Sequence, residues 1–174
     1  RLAKIIHHRF WEYSRIFINK YFQHFNGSYL FLSGDNNPRH STQEFGLFYH
    51  WEIITLIIGI IYLLKNINKI NIFILGWLLL TPIPAALTKA TPHSLRTIFG
   101  LPAFIIISSL GLVQLIKALN KKRMMLCGLF LFIFIDFFLF FHFFYCHYSK
   151  LYSFYWQYGY KEAISYIQKH QQEY

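Results

Sequence analysis

The sequence predicts an all-α fold: a polytopic membrane bundle of about four transmembrane helices, with an N-terminal interfacial helix and a short C-terminal extracytoplasmic helix. Three observations predict it. A helix needs about 20 largely apolar residues to cross the hydrocarbon core at 1.5 Å per residue, and four stretches qualify: Phe45 to Leu64, Ile70 to Thr88, Ile98 to Leu119 and Met124 to Tyr145. Composition agrees, with 55% hydrophobic, 21% aromatic and only 14% charged residues, where soluble domains average about 25% charged. The cations, finally, flank the apolar stretches instead of forming a soluble face. A net charge of +10 therefore does not indicate a nucleic-acid surface.

The cations also orient the bundle. Lys65 and Lys69 separate the first two spans, and Lys117, Lys121, Lys122 and Arg123 separate the last two, whereas the hairpin between them has only Lys89 and Arg96 as strong cations. The positive-inside rule places the first two groups in the cytoplasm. Arg39, Lys89, His93, Arg96 and both chain ends are then extracytoplasmic, with Arg1, Lys4, Arg9, Arg15 and Lys20 running against the rule. Both methionines, Met124 and Met125, lie late and no signal-peptide pattern opens the chain, so it reads as an internal piece of a longer protein. Cys127 and Cys146 stand near opposite ends of one helix, about 28 Å apart, beyond the roughly 7 Å that a disulfide spans.

The chain divides into residues 1–44, an interfacial helix and loop, residues 45–146, the four-helix membrane region, and residues 147–174, the start of a truncated extracytoplasmic domain. From Arg1 to Phe25, Ile5, Ile6, Phe10, Ile16, Phe17, Tyr21 and Phe22 alternate with Lys4, Arg9, Arg15 and Lys20, the period of an amphipathic helix lying on a membrane. The alternative is a soluble helix packed on another part of the protein. Gly34, Asn36, Asn37 and Pro38 then mark turns, holding Asp35, Arg39, His40 and Glu44 on a loop before the first span. Such a loop can bind a phosphate through Arg39 and sugar hydroxyls through Asp35. The plainer alternative is that Asp35 and Arg39 pair and close the turn.

Pro82 and Pro84 end or bend the second span. Thr91 is placed to cap a helix starting at Pro92, whose free amides, with His93 and Arg96, would make an anion site. Otherwise Lys89 and Arg96 only reach to lipid headgroups. The last span is rich in Phe from Phe130 to Phe144, and Tyr145, Tyr148, Tyr152, Tyr155 and Trp156 form an aromatic belt beyond it. Tyr160 to Tyr174 reads as one further amphipathic helix.

The runs Phe31-Leu-Ser-Gly-Asp-Asn-Asn-Pro-Arg-His-Ser41 and Gly46-Leu-Phe-Tyr-His-Trp-Glu52, then Pro82-Ile-Pro-Ala-Ala-Leu-Thr88, Pro92-His-Ser-Leu-Arg96 and Leu101-Pro102, carry a resemblance. In this order they resemble bacterial lipid-carrier-dependent glycosyltransferases of the GT-C membrane class, which includes protein O-mannosyltransferases and the lipid A aminoarabinose transferase. Trp156 to Ile167 is similar to the start of their extracytoplasmic domain. The resemblance implies transfer of a sugar from a polyprenyl-phosphate carrier to a protein, glycan or lipid acceptor on the outer face of the cell membrane. It also implies that the general-base carboxylate lies in an outer loop upstream of Arg1. Arg96 matches an Arg that opens a late span in the family, although Thr97 replaces the expected aromatic and the proline comes later, at Pro102.

Lys89, His93, Arg96, Arg39 and His40, with Asp35, are thus the expected binding residues for the sugar donor and its phosphate, where preorganised cations stabilise the charge left on the carrier. Asp35 and Glu44 are the carboxylates within the loops. No metal-ligating residues are assigned and no cofactor is expected, with a divalent metal left open. Other classes are weighed against the transferase, a non-enzymatic membrane subunit among them. His50 and His142 near the outer ends of their spans would suit a bis-His haem, and a membrane-embedded Asp136 would suit a small-solute transporter, although no internal repeat supports one. Asp136 is otherwise expected to face the bundle and bond Ser108 or Ser109, which lie at equal depth on the preceding span.

Overall fold

A computed structural model describes residues 9–120 and 122–171. Lys121, the first turns of the expected interfacial helix with Arg1 and Lys4, and the last three residues of the expected terminal helix lie outside them. Every regular element among the described residues is helical.

Helix α1 (Arg9–Gln23) buries none of its residues. Its C-terminal turn is tied down by Lys20 Nζ, which donates to Thr88 O at 2.6 Å, and by Tyr21 Oη, which donates to Leu79 O at 2.7 Å.

Helix α2 (Glu52–Lys65) begins well after Phe45, the expected start of the first span. The residues before it are claimed by another contact. Phe48 N donates to Leu30 O at 2.9 Å, and Gly46 lies so close to the same peptide that a Cβ there would sit 2.3 Å from Leu30 O. Glu52 Oε2 then accepts from Tyr49 N at 3.0 Å and starts the helix. Fourteen residues rise only about 21 Å, short of a core of about 30 Å. Among the described residues, three helical stretches are long and apolar enough to cross a membrane: Lys69–Ala86, Ile98–Leu119 and Arg123–Trp156.

The first of these is α3 (Lys69–Leu80), capped by Asn68 Oδ1 accepting from Asn71 N at 2.9 Å, and continued past Pro82 by the single turn α4 (Ile83–Ala86). The second enters through a tight turn at Ile98–Gly100 into α5 (Leu101–Leu119), with Pro102 in its first turn, where a missing amide costs nothing. Helices α2 and α5 cross at unusually short range. A Cβ at Gly59 would lie 2.0 Å from Ile107 O, and one at Gly111 would lie 1.8 Å from Thr55 O. Small residues let the backbones approach, and polar side chains then bond across the gap: Thr55 Oγ1 and Ser108 Oγ are 2.8 Å apart, and Ser108 Oγ donates to Glu52 Oε1 at 3.3 Å. Leu56, Leu63, Ile74, Leu78, Ala103 and Ile107 fill the core around them.

Helix α6 (Arg123–Phe143) continues through a wide turn at Phe144–Tyr148, then α7 (Ser149–Tyr152) and a tighter turn at Ser153–Trp156. Asp136 is its one buried residue within Arg123–Phe143. It faces the bundle as expected, but its partners are different: Oδ1 lies 2.7 Å from His50 Nδ1, and Oδ2 accepts from Trp51 N at 3.3 Å. Counting inward from the basic ends, Asp136 stands about 20 Å up α6 and His50 about 22 Å up the α2 segment. Ser108 is already engaged by Thr55 and Glu52. His142 pairs instead with His147, their Nε2 atoms 3.4 Å apart, so His50 and His142 do not meet as a haem pair.

Past Gln157 and Gly159, both in the left-handed region at φ 59° and 91°, the chain turns into α8 (Tyr160–Lys169). Cys127 and Cys146 are free and exposed.

Candidate functional site

At the end of the bundle away from Lys65, Lys69 and Arg123, the 33–45 loop meets the 88–97 hairpin. Gly34, at φ 73°, permits the turn, because a Cβ there would overlap Ser41 Oγ at 2.2 Å. The turn buries Asp35 to 4% exposure. Its Oδ1 accepts from Asn37 N at 2.9 Å, the Asx geometry that the Asp-Asn-Asn-Pro run favours. Its Oδ2 accepts from Ser94 N at 2.8 Å and Ser94 Oγ at 3.0 Å, and lies 3.2 Å from His40 Nδ1 and 3.9 Å from His93 Nδ1. Burial by itself raises this carboxyl's pKa, but the bonds from Ser94, Asn37 and His40 outweigh it and hold the pKa below the usual carboxylate value. Made less basic by these bonds, Asp35 is a clasp between loops and a poor general base.

This arrangement corrects two expectations. Arg39 does not pair with Asp35; its Nε donates to Tyr155 O at 2.5 Å, across to the chain beyond α7. Nor does a helix begin at Pro92. The amides that would have opened it are already bonded: His93 N donates to His24 Nε2 at 3.3 Å and Ser94 N to Asp35. The anion held by this hairpin is the chain's own carboxylate.

Asp35, Arg39, His40, Lys89 and His93 all line one open cleft of about 600 Å³, closed on one side by Tyr155. Arg96 does not line it. Its Nη1 donates to Thr88 Oγ1 at 2.5 Å and to Ala90 O at 3.3 Å, bracing the turn that carries Lys89. Glu44 is exposed and outside the cleft lining. Beneath lies a second cavity of about 240 Å³, mostly apolar, walled by Phe25, Tyr29, Leu47, Phe48, Leu101 and Phe104. His40 lines both spaces. Burial pushes the Tyr29 phenol up to about 12, so it is a neutral part of that wall.

The imidazoles of His40 and His93 lie with ring centroids 4.8 Å apart, tilted by 35°. Burial lowers the His93 pKa, and the Arg96 cation lowers it further. His93 Nδ1 is buried without a hydrogen-bond partner. One ligand-capable atom from each of Asp35, His40 and His93 falls within 4.8 Å of the others, a cluster that could hold a metal ion. This set was not legible as a metal cluster in the linear order, because Asp35 and His40 share one loop while the third member, His93, comes from the distant hairpin. Nor did that order show Ser94 and His24 as the residues that position Asp35 and His93, or Tyr148, whose Oη donates to Pro38 O at 2.5 Å while accepting from Trp156 Nε1 at 3.0 Å. The chain matches no protein-family model, no curated protein and no solved structure.

Proposed function

We propose that the chain is part of a membrane glycosyltransferase that moves a sugar from a polyprenyl-phosphate carrier to a protein, glycan or lipid acceptor at the outer face of the cell membrane. One observation carries this reading: a polar cleft bearing Arg39 and Lys89 shares His40 with an apolar cavity. That pairing suits an amphiphile with an anionic head, the cations near the phosphate and the aromatic walls near the first carbons of the lipid. In transfer, the bond from the sugar's anomeric carbon to the phosphate oxygen breaks and a bond to the acceptor oxygen forms. The acceptor's proton passes to a base, and the polyprenyl phosphate leaves with the electron pair. Arg39 and Lys89 stabilise the charge on that leaving phosphate. Asp35 contributes by holding the two loops together.

The test is transfer from a radiolabelled polyprenyl-phosphate sugar in membranes containing the protein. Lys89→Ala is expected to lower turnover by about tenfold or more at unchanged protein level. Arg39→Lys is expected to lower it as well, because an ammonium lacks the guanidinium fork. Transfer indistinguishable from wild type in both variants would remove the cleft from the reaction. The same reading requires the cleft to face outward. A single cysteine at Ser94, in a background lacking Cys127 and Cys146, should react with a membrane-impermeant maleimide in intact cells, and one at Asn120 should not. The reverse pattern would rule out an extracytoplasmic site.

A further inference from the structure

We propose that Asp35, His40 and His93 form a binding site for one divalent first-row transition-metal ion of the zinc class. The geometry is close to what such an ion requires. With metal–nitrogen and metal–oxygen bonds of 2.0–2.2 Å, two ligands of a tetrahedral ion stand about 3.4 Å apart. Asp35 Oδ2 lies 3.2 Å from His40 Nδ1 and 3.9 Å from His93 Nδ1, on either side of that value. The widest separation in the set is within 4.8 Å, and rotation of an imidazole about its side-chain torsions closes it.

A second observation points the same way. His93 Nδ1 is buried, faces Asp35 and has no hydrogen-bond partner, although buried polar atoms are nearly always satisfied. A cation accepting its lone pair supplies the missing partner. The surroundings also supply the outer contacts that fix metal ligands. Ser94 N and Oγ orient the carboxylate, and the bond from His93 N to His24 Nε2 anchors the second histidine's backbone. Two imidazoles and one carboxylate favour zinc and its neighbours over magnesium or calcium, which take oxygen ligands. Three protein ligands leave a fourth position open, as in catalytic rather than structural zinc sites. That position opens to the cleft bearing Arg39 and Lys89, so an anionic oxygen can complete the shell. Only the identity of that anion, a carrier phosphate, rests on the proposed transferase reading.

The experiment uses the chain purified in detergent, in a Cys127→Ser, Cys146→Ser background, stripped with chelator and titrated with Zn²⁺ and Co²⁺. One ion per chain is expected, with a Co²⁺ visible spectrum of the intensity of a four- or five-coordinate site, and Zn²⁺ should raise the melting temperature. His93→Gln and His40→Gln should each abolish the stoichiometric ion, Ser94→Ala should weaken binding by about 10- to 100-fold, and His142→Gln should change nothing. Far-UV circular dichroism and the metal-free melt identify folded variants. A folded His93→Gln that keeps one ion and the Zn²⁺-dependent rise overturns the site, as does a wild-type chain that takes up no ion. Metal uptake that fails in this way leaves the transfer assay as a separate result, and stoichiometric binding beside absent transfer would sink the transferase reading alone.

Discussion

Gly111→Leu is expected to cause the largest loss of stability of any single apolar substitution in the bundle. The first atom added, Cβ, would lie 1.8 Å from Thr55 O and 2.7 Å from Gly59 N. Both are backbone atoms of the facing helix, so no rotamer change relieves the overlap. Overpacking a core that can shift its side chains costs about 1–3 kcal/mol. Here α2 and α5 must move apart, which also breaks the Thr55–Ser108 hydrogen bond, worth about 1 kcal/mol, and opens the packing around buried Ile107. A cost of about 3 kcal/mol or more follows. Gly128→Leu is the control, because nothing lies within 4 Å of a Cβ built there. Thermal melts in detergent should show a large drop for the first and none for the second. Equal melting temperatures would mean that α2 and α5 do not cross at these glycines.

The second large effect concerns Asp136. Asp136→Leu leaves His50 Nδ1 and Trp51 N without their acceptor, while Asp136→Asn keeps a carbonyl oxygen for one of them. Each buried donor left without its acceptor costs about 1–3 kcal/mol. The His50 side chain is 32% exposed, which argues for the lower end. Replacing both partners is less harmful than the sum of the single changes, because the His50 donor goes with its acceptor and only Trp51 N is left without one. Asp136→Asn is therefore expected to be mild, Asp136→Leu severe, and the His50→Leu, Asp136→Leu double variant more stable than additivity allows. Additive losses in the cycle would show that the two residues are not coupled. Loss of transfer in a stable Asp136→Asn protein would instead give this carboxyl a role in handling protons or ligand.

How far the sequence could be read follows from the range of the interactions involved. The long apolar helices α3, α5 and α6 were visible because apolar length is a local property, set by the chain within each segment. The start of the first apolar helix was misjudged because the residues before Glu52 are largely apolar too, and only the distant Leu30 carbonyl draws Phe48 out of a helix. The same failure explains the hairpin at Pro92. Its Thr-Pro start signal is sound, but Asp35 and His24, remote in sequence, take the amides. Five of the six expected binding residues do converge on one cleft, since a turn-rich loop and a hairpin at the same end of a bundle have little space in which to avoid each other. Arg96 could not be separated from them by type. Its neighbours Thr88 and Ala90 offered acceptors within its own turn.

The continuous helical run from Arg123 to Trp156 has 34 residues, a length of about 51 Å against a hydrocarbon core of about 30 Å. It is therefore a mast, stepped at mid-height by Asp136 and stayed at its top by Tyr148 Oη on Pro38 O and by Arg39 Nε on Tyr155 O. Roughly 28 Å of rise separates the step from Tyr155, so a tilt of about 10° swings the masthead by roughly 5 Å. The Arg39 stay, at 2.5 Å, parts under such a swing. Tyr155 moves with the masthead, and the cleft loses one of its walls.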